Sequence, residues 1–232
     1  MPSDQSHPVL AISGLEHRYA HEPIPAIKVP ELTLQPAQQL VLTGSSGSGK
    51  STLLHLIAGL MDPTAGTILV SGTNPHQLRG HTRDRFRGRT LGMVFQTHHL
   101  LMGFSAEENV MAALMFSDIP RGAHGARSRA LLDSLGITTP TRRVEQLSIG
   151  QQQRVAIARA LACDPALVLA DEPTASLDPD NAEVALDLLQ QACRSSGAAL
   201  LCVTHDRRFL DRFDRAEHLL APHEQLQKAG GA

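Results

Sequence analysis

One short segment, residues 44–51 with the sequence GSSGSGKS, constrains the fold of this chain more than any other. It fits the pattern Gly-x-x-x-x-Gly-Lys-Ser, follows an apolar run at residues 40–43 and precedes a helical pattern at residues 52–59. In that context the backbone N–H groups of the loop and the N-terminus of the helix face a β-phosphate. A flexible Gly/Ser linker is the alternative, but a linker needs neither Lys50 nor a flanking strand. The segment therefore predicts a phosphate-binding loop between a strand and a helix.

Four short apolar runs predict buried strands at residues 40–43, 91–95, 166–170 and 200–204. Helical patterns lie between them, and the last of these has Asp180 or Asn181 as its start signal and Gly197 as its stop. This alternation favours an α/β fold with a mostly parallel core sheet. Each run leads into polar residues: the glycine-rich loop, then Gln96, then Asp171 with Glu172, then His205. Ligands bind at the carboxyl ends of parallel strands. We therefore expect all four strand ends to form one site.

The organisation predicted is a single domain at residues 8–222, with flexible ends at 1–7 and 223–232. Its core comprises about 8–96 and 160–222. The intervening 97–159 lacks a strong strand signal and is predicted to be an inserted helical subdomain, with helices near 107–115 and 126–135. Residues 10–34 and 66–70 predict a small antiparallel sheet in the N-terminal part.

The amino-acid composition limits the kinds of partner that the chain is expected to bind. The 232 residues carry a formal net charge of -2, which gives no basic field for a nucleic-acid backbone, so no nucleic acid is expected. No apolar stretch approaches the ~20 residues that span a bilayer. The first residues have neither the basic nor the apolar region of a signal peptide. We expect a cytoplasmic chain that needs another chain to cross any membrane it serves.

Two adjacent carboxylates follow the strand at residues 166–170. Asp171 is placed to hold Mg²⁺, and Glu172 to polarise an attacking water as general base. Because successive side chains of an extended chain point to opposite sides, the two carboxylates can take different roles. A surface acidic pair is the alternative, and the phosphate loop elsewhere in the chain disfavours it.

A second motif, LSIGQQQR at residues 147–154, opens an apolar helix downstream of the loop. The pair of motifs resembles the ATP-binding subunit of ABC transporters, in motif order and over about residues 10–220. The resemblance implies the ABC ATPase fold of the P-loop NTPases, ATP and Mg²⁺ as cofactors, and ATP hydrolysis coupled to transport.

The resemblance also implies a role for each matching residue. Gln96 resembles the Q-loop glutamine that senses metal and γ-phosphate, and His205 the switch histidine that contacts the γ-phosphate. Glu172, His205 and Lys50 are the implied catalytic residues, and Ser51, Gln96 and Asp171 the implied metal ligands. Tyr19 resembles the aromatic that stacks on adenine, the alternative being a half-buried tyrosine of the N-terminal sheet. The ATP-binding set comprises Tyr19, Gly44, Ser45, Ser46, Gly47, Ser48, Gly49, Lys50, Ser51, Thr52, Gln96 and His205.

In this family the signature segment of one chain completes the nucleotide site of a second chain. The resemblance therefore implies a head-to-tail dimer with a second copy or a close homologue. Ser148, Gly150 and Gln151 of the signature and Asp178 of the D-loop are the residues expected to act across that interface. It also implies a separate integral membrane permease, through which the chain lies peripherally on the inner face of the cell membrane.

Ile149 departs from the family pattern, which has glycine there. A β-branched residue does not accept positive φ comfortably. Either the position has ordinary backbone angles or the segment binds phosphate less well, and the first interpretation is favoured because Ser148, Gly150 and Gln151 remain.

The segments FQTHHLL at 95–101 and EENV at 107–110 are similar to the subgroup that serves lipoprotein release, macrolide export, cell division and envelope glycolipid export. His98 and His99 are interpreted as the lip of a groove that receives a permease helix. The arginine-rich run at residues 79–89 is interpreted as a solvated helix face, with lipid or nucleic-acid binding as the lesser alternative. A soluble ABC ATPase, such as one in iron–sulfur cluster assembly, remains the alternative function.

Overall fold

The computed structural model describes residues 7–221, and the strands and helices within them alternate as predicted. The strands are β1 Leu10–His17, β2 Ile27–Leu34, β3 Gln39–Thr43, β4 Ala65–Val70, β5 Leu91–Val94, β6 Leu167–Asp171, β7 Ala199–Val203 and β8 Arg215–His218. The α-helices are α1 Lys50–Ile57, α2 Gly80–Thr90, α3 Ala106–Leu114, α4 His124–Ser134, α5 Ile149–Leu161 and α6 Pro179–Ser196. The ends predicted to be flexible lie outside the described residues except for His7.

The core is a five-stranded sheet in the order β5-β6-β7-β3-β8, and every neighbouring pair is parallel. Strands β3, β6 and β7 are almost wholly buried, because helices cover both faces of a central parallel sheet. Parallel pairing places the carboxyl ends of all five strands at one edge. The α/β fold class predicted from the sequence is confirmed.

A second sheet, β2-β1-β4, is antiparallel and contains the N-terminal runs. The alternating burial of β1 and β2 is typical of strands with one face against the core. Leu10, Ile12 and Leu15 of β1 belong to the same apolar cluster as Leu40 and Leu42 of β3, so the two sheets share one core.

Between β5 and β6 the described chain contains helices α3, α4 and α5 and no strand. Helix α3 begins with a capping box between Ser105 and Glu108, and α5 begins with one between Ser148 and Gln151. Helix α5 contacts both α3 and β5, and it continues to Leu161, two residues past the predicted end of the helical subdomain. Because α5 packs against a helix of the inserted segment and a strand of the core, it joins the two parts. We propose a division into a core and a helical subdomain with α5 at their boundary.

Two local predictions differ from the structure. Helix α6 begins at Pro179 with Asp178 as its N-cap, whereas Asp180 or Asn181 was expected to start it. The reason is that the Asp178 carboxylate accepts from the Asn181 N–H at 3.1 Å, which satisfies a backbone donor of the first turn. Strand β8 was not predicted, because its sequence, RAEH, has no apolar run and its residues are exposed or half-buried.

The arginine-rich run forms helix α2, which buries no residue completely. Its arginines are not a free basic surface, because most of them are ion-paired. The pairs join Arg83 to Asp62, Arg87 to Asp84, and both Arg85 and Arg89 to Asp118. The last two pairs tie α2 to the loop that follows α3.

Candidate functional site

The phosphate loop lies between β3 and α1, as the sequence predicted. Lys50 is the first residue of α1, and its Nζ donates to the carbonyl oxygens of Gly44 and Ser45, both at 3.0 Å. The side chain therefore lies over the loop instead of extending into solvent. This arrangement holds a positive charge beside the backbone N–H groups at the start of a helix, where an anion is stabilised.

Two glycines of the loop are required by its geometry. A Cβ at Gly44 would lie 2.5 Å from Ser48 Oγ and 2.7 Å from the Leu219 carbonyl oxygen. Gly49 has φ 89°, and a Cβ there would lie 2.7 Å from the Ala26 carbonyl oxygen. Any side chain at these positions would displace backbone, so the loop conformation depends on glycine at both.

The two adjacent carboxylates are directed at different partners. Ser51 Oγ donates to Asp171 Oδ1 at 3.1 Å, which joins the start of α1 to the end of β6. Glu172 Oε1 lies 2.9 Å from His205 Nδ1, which joins the ends of β6 and β7. Parallel strand order creates both contacts, because β6 and β7 are neighbours and β3 follows β7.

Glu172 has φ 47°, which is unfavourable for a residue with a side chain. Its N–H donates to the Val203 carbonyl oxygen at 2.9 Å, so the strained residue is held by the neighbouring strand. Such strain persists where the surrounding structure over-determines it and is concentrated at functional sites. The backbone thus turns the Glu172 carboxylate towards His205.

Tyr19 lies beside the loop on the side of the small sheet. Its hydroxyl is 3.0 Å from Thr52 Oγ1, its ring packs edge-on against His17, and 45% of its surface is exposed. An open cavity of about 430 Å³ connects Tyr19 to the loop and to both carboxylates. Besides Tyr19, its lining comprises Ala26, Ser46, Gly47, Gly49, Lys50, Ser51, Thr52, Asp171 and Glu172. The cavity wall thus combines an aromatic ring, the Lys50 ammonium group and two carboxylates.

Gln96 lies in a turn two residues after β5 and is exposed, and its side chain makes no hydrogen bond to any part of the chain within residues 7–221. The structure therefore places it at the expected strand end but does not join it to Ser51 or Asp171. His98 and His99 follow with φ 57° and 47°, so two successive residues are left-handed. His99 lines a groove, whereas His98 is buried, and its interpretation as part of the groove lip is wrong.

That groove has a volume of about 530 Å³ and lies where helix α2, strand β5 and the helices α3 and α5 meet. Apolar side chains dominate its lining, including Leu60, Met93, Phe95 and Phe116. Leu60 and Phe116 are about half exposed.

The signature residues do not contact the phosphate loop of their own chain. Ser148 Oγ accepts from the Gln151 N–H at 3.3 Å, and Gln151 Oε1 accepts from the Ser148 N–H at 3.0 Å. These bonds are local to the first turn of α5, and Ser148 is exposed. Neither residue lines the cavity that contains Tyr19 and Lys50.

Ile149 is the first residue of α5 and is absent from the residues with positive φ among those described. The expectation of ordinary backbone angles is therefore confirmed. Its side chain is 55% exposed. The helix can thus begin without a glycine there, and the isoleucine points away from the core.

Asp178, expected to act across an interface, caps α6 within its own chain and is exposed. Hydrogen bonds from the Asn181 side chain and backbone hold the pKa of its carboxyl below the usual value. The carboxylate is therefore ionised and available at the surface as well as serving as a cap.

Sequence reasoning missed two residues near the site. His218, at the end of β8, lies 3.1 Å from Thr43 Oγ1 and lines a second cavity with Gly44, Ser45, His205 and Arg207. Gln153 is buried in α5, and its Nε2 donates to the Pro173 carbonyl oxygen at 2.9 Å, directly after Glu172. The only available signal for Gln153 was a polar residue on the apolar face of a helix.

Comparison with known proteins agrees with this geometry. The family model described as ABC transporter matches residues 27–175. The lipoprotein-releasing system ATP-binding protein LolD 2 of Caulobacter vibrioides is 42% identical, over 96% of this chain and 99% of its own. The corresponding LolD protein of Anaeromyxobacter dehalogenans is 44% identical, over 92% of this chain and 91% of its own.

Solved structures show the same fold. The dimeric structure of a bacterial ABC transporter cassette matches with a TM-score of 0.81 and 31% identity, covering 92% of this chain and 95% of its own. A dimeric ATP-binding cassette in a post-hydrolysis state, bound to ADP and Pi, matches with a TM-score of 0.79 and 31% identity, covering 90% and 94%.

The iron–sulfur assembly alternative is not favoured, because the relatives at 42% and 44% identity are named for lipoprotein release. Among residues 7–221, no helix combines the length and apolar character that crossing a bilayer requires. The loop, the paired carboxylates and the family match together lead to one identification. This chain belongs to the ABC transporter family and is the ATP-binding and ATP-hydrolysing subunit of a membrane transporter.

Proposed function

We propose that Lys50, Glu172 and His205 hydrolyse ATP at a site whose missing half comes from a second chain. The observation that carries the proposal is the convergence of Lys50, the Asp171–Ser51 pair and the Glu172–His205 pair on one sheet edge. Phosphoryl transfer depends mainly on positioning and on stabilising charge, and a lysine, a base and a switch histidine around a phosphate loop are this chain's share of that chemistry.

The position of each of these residues supports a particular role in binding or hydrolysing ATP. Lys50 exchanges its bonds to the Gly44 and Ser45 carbonyls for the β- and γ-phosphate oxygens. Glu172 orients the attacking water and accepts its proton at a carboxylate oxygen. His205, 2.9 Å from that carboxylate, orients Glu172 and contacts the γ-phosphate. Tyr19 covers the adenine with its exposed ring face.

The residues present fit Mg²⁺, which prefers oxygen ligands. The Ser51 hydroxyl and the Asp171 carboxylate are 3.1 Å apart, and the exposed Gln96 amide follows the adjacent strand. These three side chains would hold the metal. Mg²⁺ neutralises charge on the phosphates when bound.

The second half of the site is the exposed signature segment of another copy or of a close homologue. Ser148, Gly150 and Gln151 lie at the N-terminus of α5, the end of a helix that favours an anion. Asp178 is exposed for contact across the same interface. Solved cassettes of this fold are dimeric, which supports the arrangement.

We further propose that the chain is cytoplasmic and works with an integral membrane permease. Through that permease it lies peripherally on the inner face of the cell membrane. The apolar groove with half-exposed Leu60 and Phe116 is the surface that fits a permease helix. The names of the relatives favour lipoprotein release as the transport process.

Replacing Glu172 with glutamine tests the hydrolytic mechanism. The Glu172→Gln chain should bind ATP normally, lose at least about a hundredfold in turnover, and accumulate as a dimer with MgATP, because the general base is lost while the binding groups remain. Isothermal titration, phosphate release and size-exclusion chromatography measure the three properties. A chain that stays monomeric at saturating MgATP, or that retains its turnover, overturns the mechanism.

The docking surface has its own test. Phe116→Glu places a charge in the groove and should abolish cofractionation of the chain with membranes that contain its permease. Val184→Glu is the matched control, because Val184 is equally exposed, at 51%, but lies on α6 outside the groove. Equal loss for both variants contradicts the assignment of the groove.

A further inference from the structure

The Tyr19 ring, which lies at the end of the site away from the sheet edge, packs against a second aromatic ring. Strand β1 ends at His17, and side chains two residues apart in an extended chain point to the same side. The rings of His17 and Tyr19 meet with their centroids 5.0 Å apart and their planes at 90°. Edge-to-face contact is a favoured arrangement of two aromatic rings. A perpendicular neighbour covers at most one face of Tyr19, so the other face is free to meet a base.

His17 is itself held by the loop that follows helix α1. The residue is only 8% exposed, and its Nδ1 lies 3.0 Å from the carbonyl oxygen of Asp62. Because a carbonyl oxygen only accepts hydrogen bonds, Nδ1 is the donor. Burial and this bond together fix the direction of the imidazole ring.

The residue that receives this bond is anchored at its other end. The Asp62 carboxylate lies 3.1 Å from His76 Nδ1 and 3.1 Å from Arg83 Nη1. His76 belongs to the short 3₁₀ helix Pro75–Gln77, and Arg83 belongs to α2. The loop after α1 is thus tied to α2, and the carbonyl that orients His17 belongs to a held residue.

The other side-chain bond of Tyr19 contributes less to the direction of its ring. The Tyr19 hydroxyl lies 3.0 Å from Thr52 Oγ1, at an exposed position. Water competes for exposed hydroxyl groups, so the net contribution of this bond is small. The buried His17 ring has no such competitor. The contact between the two rings therefore determines how Tyr19 is presented.

We propose that His17 is a positioning residue for ATP binding, which holds the Tyr19 ring in the orientation that stacks on adenine. The inference rests on the proposed role of Tyr19. A side chain that is ordered in advance loses less conformational freedom when its ligand binds, so the ligand binds more tightly. His17 does not line the cavity beside the phosphate loop. Its effect should therefore be confined to the base end of the nucleotide.

The main test replaces His17 with leucine in the intact chain. His17→Leu removes the aromatic ring and should raise the KM for ATP about threefold, with kcat within about 1.5-fold of the parent chain, because only base binding is weakened. Titration calorimetry with Mg²⁺ and inorganic tripolyphosphate should give the affinity of the parent chain, since this ligand has no base. Adding His17→Leu to Tyr19→Ala should leave the KM of Tyr19→Ala unchanged, because the histidine acts only through that ring.

Two further variants separate the ring from the hydrogen bond. His17→Phe keeps an aromatic ring, loses the bond to Asp62 and removes the Nε2 atom, which is buried without a partner among residues 7–221. Its KM should stay within about 1.5-fold of the parent value, because the edge-to-face contact is kept. His17→Asn keeps a donor without a ring and should match His17→Leu. It takes the place of His17→Leu if leucine prevents folding.

The matched control is His124→Leu. His124 is 3% exposed, and its Nε2 lies 2.8 Å from the carbonyl oxygen of Ile119, so it is also a buried histidine that bonds one carbonyl. It begins α4 and does not line the cavity that contains Tyr19. His124→Leu should lower thermal stability and leave the KM for ATP at the parent value.

Tyr19 also reports its own mobility, because the chain contains one tyrosine and no tryptophan. An exposed side chain that is released changes rotamer in picoseconds to nanoseconds. The tyrosine fluorescence anisotropy of the chain without nucleotide should therefore fall in His17→Leu and His17→Asn. It should keep the parent value in His124→Leu.

The outcomes distinguish this inference from the role of Tyr19 on which it rests. A raised KM in Tyr19→Ala with a parent KM in His17→Leu or His17→Asn overturns the role of His17 alone. A parent KM in Tyr19→Ala overturns the stacking on adenine, and this inference with it. The inference also fails if His17→Leu weakens tripolyphosphate binding as much as ATP binding, if anisotropy is unchanged, or if His124→Leu raises the KM equally.

Discussion

The two polar regions proposed to contact the nucleotide are built in different ways. Around the phosphate loop, side chains from distant parts of the sequence bond one another, as Ser51 does with Asp171 and Glu172 with His205. At the signature, the side chains of Ser148 and Gln151 each bond the other residue's backbone N–H, within one helical turn. The sheet brings the first region together, and we call it the assembled region. The second is a local motif at the surface, and we call it the displayed region.

This difference indicates what one chain can do alone. The groups proposed to bind phosphates and to activate water are brought together around the loop by contacts within one chain. At the signature, the Ser148 and Gln151 N–H groups are used in a capping box, and neither residue lines the cavity beside the loop of their own chain. Hydrolysis should therefore fail differently when each region is altered, and mixtures of altered chains should reveal the difference.

The largest effect is expected for Lys50→Ala, which alters only the assembled region. Loss of the ammonium group should reduce turnover by roughly a hundredfold or more, because it removes charge stabilisation at the phosphates. ATP affinity should fall with it, which titration calorimetry measures. Turnover close to that of the parent chain would show that the loop is not the phosphate site.

Mixing variants tests whether the displayed region acts on another chain. Lys50→Ala and Ser148→Arg chains should each be inactive, but an equal mixture should regain about a quarter of the parent activity, since random pairing leaves one intact composite site in each mixed dimer. Phosphate release against mixing ratio is the measurement. If the mixture is no more active than its components, the signature does not complete the loop of a partner.

An intermediate effect is expected at Tyr19, which borders the assembled region. Tyr19→Ala should raise the KM for ATP about fivefold, because an aromatic stacking contact contributes ~0.5–1.5 kcal/mol. Tyr19→Phe keeps the ring and loses only the exposed bond to Thr52, so its KM should stay within about twofold. Equal KM values for the two variants would assign the effect to the hydroxyl instead of the ring.

The smallest effect is expected for Ile149→Gly in the displayed region. Ile149 has ordinary helical angles and is 55% exposed, so glycine there relieves no strain and uncovers no core. We expect turnover within about threefold of the parent chain and a stability loss of at most ~1 kcal/mol from backbone entropy. A large gain in turnover would indicate that isoleucine obstructs the phosphate.

The sequence predicted most of the site because the relevant residues follow apolar runs directly. The phosphate loop, Asp171, Glu172 and His205 all stand at strand ends, and the parallel arrangement of β3, β6 and β7 brings them to one edge. The three helices between β5 and β6 and the small antiparallel sheet were also predicted correctly.

The residues that were missed have at most a weak local signal. Strand β8 is polar and gains its strand conformation by pairing with β3, so His218 could not be placed beside Thr43 in advance. Gln153 and His98 are polar residues whose burial depends on the packing of α5 against the Q-loop segment. The start of α6 was misplaced because several acidic and amide residues near Asp178 were equally plausible caps.

The sequence by itself determined the fold class, the order of the motifs and the chemistry of the phosphate loop, because periodicity and residue type act over a few residues. Only the tertiary structure decided that Glu172 faces His205 at positive φ, that α2 is ion-paired, and that α5 contacts both His98 and Pro173. These contacts join residues far apart in the chain. Their geometry follows from how the sheet and helices pack, which no local pattern encodes.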